Sequence, residues 1–418
     1  MSASDISPWA GADKTGQAID CLPSRKTGID RLVQLPSFVA DRRTFLKAAS
    51  VPAIAACWLA LLRRSLAEPA YAASAGEDES RYVTEARFYK KLANKVVQCQ
   101  LCPRQCVVSE GKRGHCRVRE NRGGTYYTLV HSRVAAAHID PIEKKPFFHV
   151  YPGALALSIA TGGCNVNCKF CQNWEISQAK PEDLRAQYFS PPALAKIAQQ
   201  NDCVTLAYTY SEPIVFYEYM TAAADYAHSQ GINSVVVSNG FIRQEPLREL
   251  CGRVDAIKVD LKSYSEKYYR EVVNGELKPV LETLVTVRNH GRWLEIVYLV
   301  VPTLNDSDQE FRDLARWLKT ELGPDVPIHF TRFQPLYLLR NLPPTPLATL
   351  ERAKAIADAE GLHYVYLGNV PGHPAENTYC PKCRHLVIER AGFTVTQMLL
   401  QNGKCRQCQH PIPGVWKA

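Results

Sequence analysis

The 418-residue sequence predicts an α/β fold built on an incomplete (β/α)6-type barrel. Three observations predict it. From residue 154 onward, short β-branched runs alternate with helical stretches, the pattern of parallel βαβ units. Polar motifs follow the ends of the strand candidates, where β/α barrels keep their chemistry. The hydrophobic share of 46% is that of an ordinary globular chain, long enough to bury a large core.

The elements follow in order. Residues 154–160 form the first strand candidate, followed by a cysteine-rich loop and a helix over 191–200. A strand over 204–210 precedes a long helix over 215–230, and the β-branched run 234–238 precedes a helix over 246–253. Further strand–helix pairs are read at 256–261 and 280–289, at 294–301 and 309–322, and at 328–333 and 347–360. A short strand at 364–367 closes the series. The motifs YTYSEP, SNG, VDLK and TRFQP end the second, third, fourth and sixth strands, and PTLND follows the fifth.

Four regions result. Residues 1–72 read as a leader. Arg42-Arg43 precede Phe45-Leu46-Lys47, an apolar run over 51–62 follows, and Ala70-Tyr71-Ala72 supplies a cleavage site. This resembles a twin-arginine export signal, which carries folded proteins to the periplasm. A cytoplasmic or tethered protein, with the signal uncleaved, is the alternative. The apolar run is too short to span a bilayer, so no integral membrane segment is expected. Residues 73–153 hold a polar stretch over 73–98 read as helical, a cysteine-rich module and a bridge; 154–370 hold the barrel; 371–418 hold a second cysteine-rich tail. The net charge is +9, with nine Lys/Arg against six Asp/Glu in the leader, and no basic run interleaved with aromatics suggests nucleic acid.

Eleven of the fifteen cysteines fall in three tight groups, spaced as metal ligands rather than disulfides. The central group reads TGGCNVNCKFCQNWEIS, with Cys164, Cys168 and Cys171 spaced C-x3-C-x2-C. Three thiolates can hold three irons of a four-iron cluster and leave the fourth open. An open iron can be chelated by the amino and carboxylate groups of S-adenosylmethionine (SAM). Three cysteines without a fourth ligand fit zinc poorly.

This spacing, with Phe170 before the third cysteine, resembles the radical SAM superfamily signature. The motifs YTYSEP, SNG, DLK and PTLND look like those of the activating enzymes of glycyl-radical proteins. More closely, the chain from about Arg87 resembles the AmmeMemoRadiSam system radical SAM enzyme, on CQLCPRQC, GHCRVREN, DPIEKKPFFH, HFTRFQPLY, PPTP, YVYLGNVPGH and NTYCPKC. The resemblance implies a [4Fe-4S] cluster, SAM, a flavodoxin- or ferredoxin-like one-electron donor, and partner proteins of that system. It implies that Gly162 and Gly163 let backbone approach the cluster. Glu212 would accept from the SAM amino group, at the end of the motif that Tyr208 opens. Ser238 and Asn239 would line the ribose or carboxylate. Lys262 would meet a carboxylate, Asp260 a ribose or a cation, and Asn305 the adenosine. Asp306 also reads as a helix N-cap. His329, Arg332 and Tyr337 are candidates for holding an anionic substrate group, although strand alternation turns His329 and Arg332 to opposite faces. His138, Asp140 and Glu143 can cap the barrel mouth.

Cys99, Cys102, Cys106 and Cys116 suit either zinc or a second iron–sulfur cluster. Cys380, Cys383, Cys405 and Cys408 form two C-x2-C knuckles of zinc-ribbon or rubredoxin type, with structural zinc favoured over iron. Three functions remain on the sequence: a radical SAM oxidoreductase of unknown substrate, a glycyl-radical activase, and a non-catalytic iron–sulfur electron carrier.

Overall fold

In the computed structural model, which describes residues 78–416, seven parallel strands follow one another across a single sheet in chain order. The leader and its twin-arginine motif lie outside the described residues. With an added edge strand β1 (Ala136–Pro141), the eight-stranded sheet holds the seven parallel strands β2 (Leu155–Ala160), β3 (Cys203–Tyr208), β4 (Asn233–Ser238), β5 (Ala256–Asp260), β6 (Trp293–Val300), β7 (Ile328–Arg332) and β8 (Val365–Gly368). β1 pairs antiparallel with β2; every later pair is parallel. The helices α1 (Pro191–Gln200), α2 (Tyr217–Ser229), α3 (Gln244–Cys251), α4 (Leu277–Asn289), α5 (Asp308–Glu321) and α6 (Leu347–Ala359) connect the seven parallel strands. β1 and β8 end the order without pairing, so the sheet is open, consistent with a partial barrel.

The parallel strands are covered on both faces, so they are almost uniformly apolar and buried. The exceptions are informative. Lys258 in β5 and Glu295 in β6 are charged and buried. Strand ends and helix starts are fixed locally. Ser190 caps α1 by accepting from the Ala193 amide, with proline opening the helix. Ser307, not Asp306, caps α5; the Asp306 carboxylate instead accepts from the Thr303 amide at 2.9 Å.

The expected helix over 73–98 is absent among the described residues, apart from a single 3-10 turn at Glu79–Tyr82. Tyr89–Lys91, Val97–Cys99 and Val107–Val108 form a small antiparallel sheet there. Asn94 and Lys95 both have φ near +55°, a turn that no right-handed helix tolerates. The bridge also differs, since it supplies the edge strand β1. After β8 the tail forms a short hairpin, β9 (Leu386–Ala391) and β10 (Thr394–Met398). It folds back on the bridge: the Tyr151 amide donates to the Val415 carbonyl at 2.8 Å, and the Val415 amide to the His149 carbonyl at 2.7 Å.

Candidate active site and metal centres

A cavity of about 460 Å³ opens at the C-terminal ends of the parallel strands. Cys164, Cys168 and Cys171 line it from the loop after β2. Glu212 enters from the loop after β3, Ser238 and Asn239 from β4, and Lys258, Asp260 and Lys262 from β5. His329 and Thr331 enter from β7. Residues two apart on a strand share a face, which is why Lys258 and Asp260, and His329 and Thr331, point inward together. Further wall comes from Glu143, Lys144, Lys145, Pro146 and Phe148 in the bridge and from Glu376, Gly392 and Phe393 in the tail.

The cysteine loop is held tightly. Gly163 has φ +94°, and a Cβ there would lie 2.6 Å from both the Cys116 carbonyl oxygen and Val118 Cγ1. The Asn165 side chain donates to the Phe241 carbonyl and accepts from Asn239 Nδ2 at 2.8 Å. Asn239 Nδ2 also lies 3.9 Å from Cys164 Sγ. Burial pushes the Cys168 thiol up to about 12 and those of Cys164 and Cys171 upward. A buried thiolate is therefore costly without a cation to compensate it. A metal cluster supplies that cation, so the three cysteines fit the group they are expected to hold.

Glu212 is the hub of the next strand ends. Its carboxylate accepts from Ser238 Oγ at 2.7 Å, the Asn239 amide at 2.8 Å and the Ile214 amide at 3.1 Å. Burial nevertheless raises it to about 7. Beside it, Asp260 is shared by two lysines, Lys258 and, at 2.8 Å, Lys262. Burial disfavours the Asp260 charge, but the two ammonium groups hold the carboxyl well below the usual range. Lys258, Asp260 and Lys262 thus form one buried ion cluster in the wall, with Glu212 close enough to act on Lys258.

On the far side, Glu295 accepts from the Phe148 amide at 3.0 Å, the His149 amide at 2.8 Å and His329 Nε2 at 2.8 Å. Burial works against its charge, but the His329 contact brings the carboxyl down to about 2. Asp140, from β1, pairs with Lys145 at 2.6 Å and accepts from the Tyr210 hydroxyl at 2.8 Å.

The structure thus gathers Cys164, Cys168, Cys171, Glu212, Ser238, Asn239, Asp260, Lys262 and His329 around one cavity. Other expected residues lie off its wall. Tyr208 is buried with its hydroxyl 3.5 Å from Ser234 Oγ. Asn305 donates to the Lys262 and Leu299 carbonyls, which fixes the end of the DLK loop. Arg332 donates to the Thr345 carbonyl at 2.9 Å, and Tyr337 stacks on Trp174. Gly162 and Gly163 shape the loop behind the sulfurs. Of the proposed mouth residues, Glu143 lines the cavity and His138 is exposed against Tyr210. Sequence reasoning missed Lys258 and Glu295, although a lone charge inside an apolar strand was the available signal.

The two outer cysteine groups differ in geometry. In the tail, Cys380 and Cys408 sulfurs are 3.6 Å apart and those of Cys383 and Cys405 are 3.7 Å apart. A metal held tetrahedrally at about 2.3 Å separates its sulfurs by about 3.8 Å, so the four can hold one ion. Their four sulfurs lie within 4.8 Å of one another, and among the described residues no other group of three or more Cys, His, Asp or Glu is placed to hold a single ion. Cys99, Cys102, Cys106 and Cys116 instead surround a small cavity of their own.

Residues 158–318 match the sequence profile of the Radical SAM superfamily. The chain is 42% identical over 330 residues to uncharacterized protein MJ0808 of Methanocaldococcus jannaschii, covering 78% of this chain and 98% of that one. It is 25% identical over 217 residues to the pyruvate formate-lyase 1-activating enzyme of Escherichia coli strain K12, covering 48% of this chain and 87% of that one. Among solved structures, Streptococcus suis SuiB bound to S-adenosylmethionine aligns with a TM-score of 0.42 at 13% identity, over 57% of this chain and 56% of that one.

Proposed function

Because the chain belongs to the radical SAM superfamily, we propose that Cys164, Cys168 and Cys171 hold its cluster and that the cavity beside them takes SAM and a small substrate. The chain is a radical SAM enzyme, and such enzymes need a reductant. When bound, the cluster supplies the electron that cuts SAM to methionine and a 5′-deoxyadenosyl radical, which takes a hydrogen atom from the substrate.

The protein's own residues position and exclude. Glu212 orients Ser238 and Asn239 and presents a carboxyl to the SAM amino group. Lys262 and Lys258, which share Asp260, offer ammonium donors to a carboxylate at the β5 end of the cavity. The Glu295–His329 pair fixes the opposite wall. Bridge and tail residues wall the cavity beside the cysteines, which suits a small molecule or a single side chain as acceptor. Exclusion of water protects the radical. The tail site is read as structural zinc, with iron as the alternative.

One observation carries this reading: a single cavity brings the three cysteines, the Glu212 group and the lysine–aspartate cluster together at the strand ends. The test is SAM cleavage by the anaerobically reconstituted full chain with a strong reductant, beside a Cys171→Ala control. 5′-Deoxyadenosine formed only with the intact triad supports it. A cluster that forms and reduces while SAM stays whole sinks it in favour of an electron carrier.

The similarity to pyruvate formate-lyase activating enzymes supports a second reading, in which the acceptor is a glycine of a partner protein. Partner proteins of the AmmeMemoRadiSam system are the first candidates to add. A persistent glycyl-radical signal on the partner after turnover would decide for it; small-molecule turnover without such a signal would decide against it.

A further inference from the structure

We propose that Cys99, Cys102, Cys106 and Cys116 bind a second, fully protein-ligated iron–sulfur cluster, not zinc, and that it feeds electrons to the cluster at Cys164, Cys168 and Cys171. The relay rests on the radical SAM reading; the cluster site does not.

Three observations carry the site. The first is an internal comparison between cysteine sets of one chain. The tail cysteines have drawn together to the spacing of a single ion, at 3.6 and 3.7 Å. The four N-terminal cysteines form no such single-ion group among the described residues, and neither does the central triad. A single tetrahedral ion needs every sulfur pair at about 3.8 Å, whereas a cluster sets its thiolates on separate irons and spreads them. The second observation is that all four line one cavity and that all are free thiols, so disulfides do not explain them.

The third is an orphaned donor. Arg119 also lines this cavity, is 1% exposed, and holds the Glu218 carboxylate through its terminal nitrogen at 2.6 Å. Its Nε is buried with no hydrogen-bond partner. A buried guanidinium N–H without an acceptor is costly, and cluster sulfide or thiolate supplies one. The Cys106 sulfur already accepts from the His115 amide at 3.4 Å, the kind of contact that tunes a cluster's potential.

Position assigns the role. Four protein thiolates leave no open iron, so this cluster transfers electrons and binds no substrate. It adjoins the catalytic loop: the Cys116 carbonyl packs where a Gly163 side chain would be, and Asn165 lines the N-terminal cavity while bonding Asn239 beside Cys164. In each cycle the cluster gains one electron from an external flavodoxin- or ferredoxin-type donor. It is reoxidised by passing that electron to the central cluster.

The experiment uses the full chain with Cys164→Ala, Cys168→Ala and Cys171→Ala combined, reconstituted without oxygen. We expect it to retain about four irons and about four acid-labile sulfides, and on reduction a paramagnetic signal that SAM does not alter. A mononuclear iron in the tail adds no sulfide, so it cannot imitate this result. Absence of labile sulfide, with zinc bound in its place, overturns the site. For the relay, Cys102→Ser in the otherwise native chain should keep the SAM-responsive signal of the central cluster. Its reduction by a flavodoxin should slow about tenfold or more, while a small chemical reductant still works. An unchanged rate overturns the relay. Neither readout depends on SAM being cleaved, so loss of the catalytic reading would be seen separately.

Discussion

At the residue scale, Glu212 shows how one carboxyl serves both order and ligand binding. Its oxygens already hold Ser238 and Asn239, and burial raises it to about 7 from an ordinary 4.5. A raised folded value means that the native state binds the proton more tightly than the unfolded chain. The stabilising contribution is thus complete below about 4.5 and is lost as pH rises through about 7. The wild-type melting temperature should therefore carry a downward component between those values, which Glu212→Gln removes. An identical pH slope in both proteins would count against this assignment. The same variant should weaken SAM binding roughly 10- to 100-fold, read by equilibrium binding to the reconstituted protein, because a charged acceptor becomes a neutral amide. The YTYSEP, SNG and DLK motifs made Glu212, Ser238, Asn239 and Lys262 legible in the sequence. Lys258 was not found, although it stands two residues before Asp260 on the same strand face. Arg332 illustrates the reverse: its residue type suggested anion binding, but its strand position turns it to the Thr345 carbonyl.

At the element scale, the strand–helix alternation was legible because parallel strands buried on both faces leave long apolar runs. Boundaries slipped where local chemistry competes. α4 begins at Leu277, ahead of the expected 280, because Pro279 is tolerated in a first turn that lacks amide partners anyway. β1 was missed because its AAHIDP sequence has no strand pattern of its own and is ordered by pairing with β2. The false helix at 73–98 failed for the opposite reason: helix-forming lysines and alanines yielded to a cysteine-bearing sheet. Gly163 is an exacting backbone position, where the N-terminal cysteine module packs on the central cysteine loop. Gly163→Ala forces a Cβ to 2.6 Å from a backbone oxygen at φ +94°. It should lose about 1–3 kcal/mol in denaturant midpoint analysis and lower the iron content per chain. Gly111→Ala is the control, since Gly111 has φ +71° but open space around its Cβ position. Equal losses in both variants would mean that conformational strain alone, and not the packing of Cys116 on the loop, sets the cost.

At the scale of the whole molecule, the tail is tied to the catalytic wall by one continuous set of contacts. Arg390 from β9 donates to the Phe148 carbonyl at 2.7 Å and lies 4.2 Å over the Phe148 ring. The Phe148 amide in turn binds Glu295, which holds His329. Phe148, Glu376, Gly392 and Phe393 all line the cavity. β9 and β10 make only a small three-stranded sheet with Thr378–Tyr379, so a metal at the four-thiolate site would add stability to this wall. Cys405→Ser with Cys408→Ser should therefore release one metal ion per chain and make the tail sensitive to limited proteolysis. It should also leave SAM bound at the Glu212 side within about threefold of its native affinity, since no tail residue bonds that group. The acceptor wall, by contrast, should open to solvent, so that 5′-deoxyadenosine continues to form while transfer to any acceptor falls. A protease-resistant tail in the metal-free variant would show that packing against Phe148 suffices. Loss of the central iron along with the tail metal would show that the two ends fold as one unit, and the division of labour drawn from the contacts would be wrong.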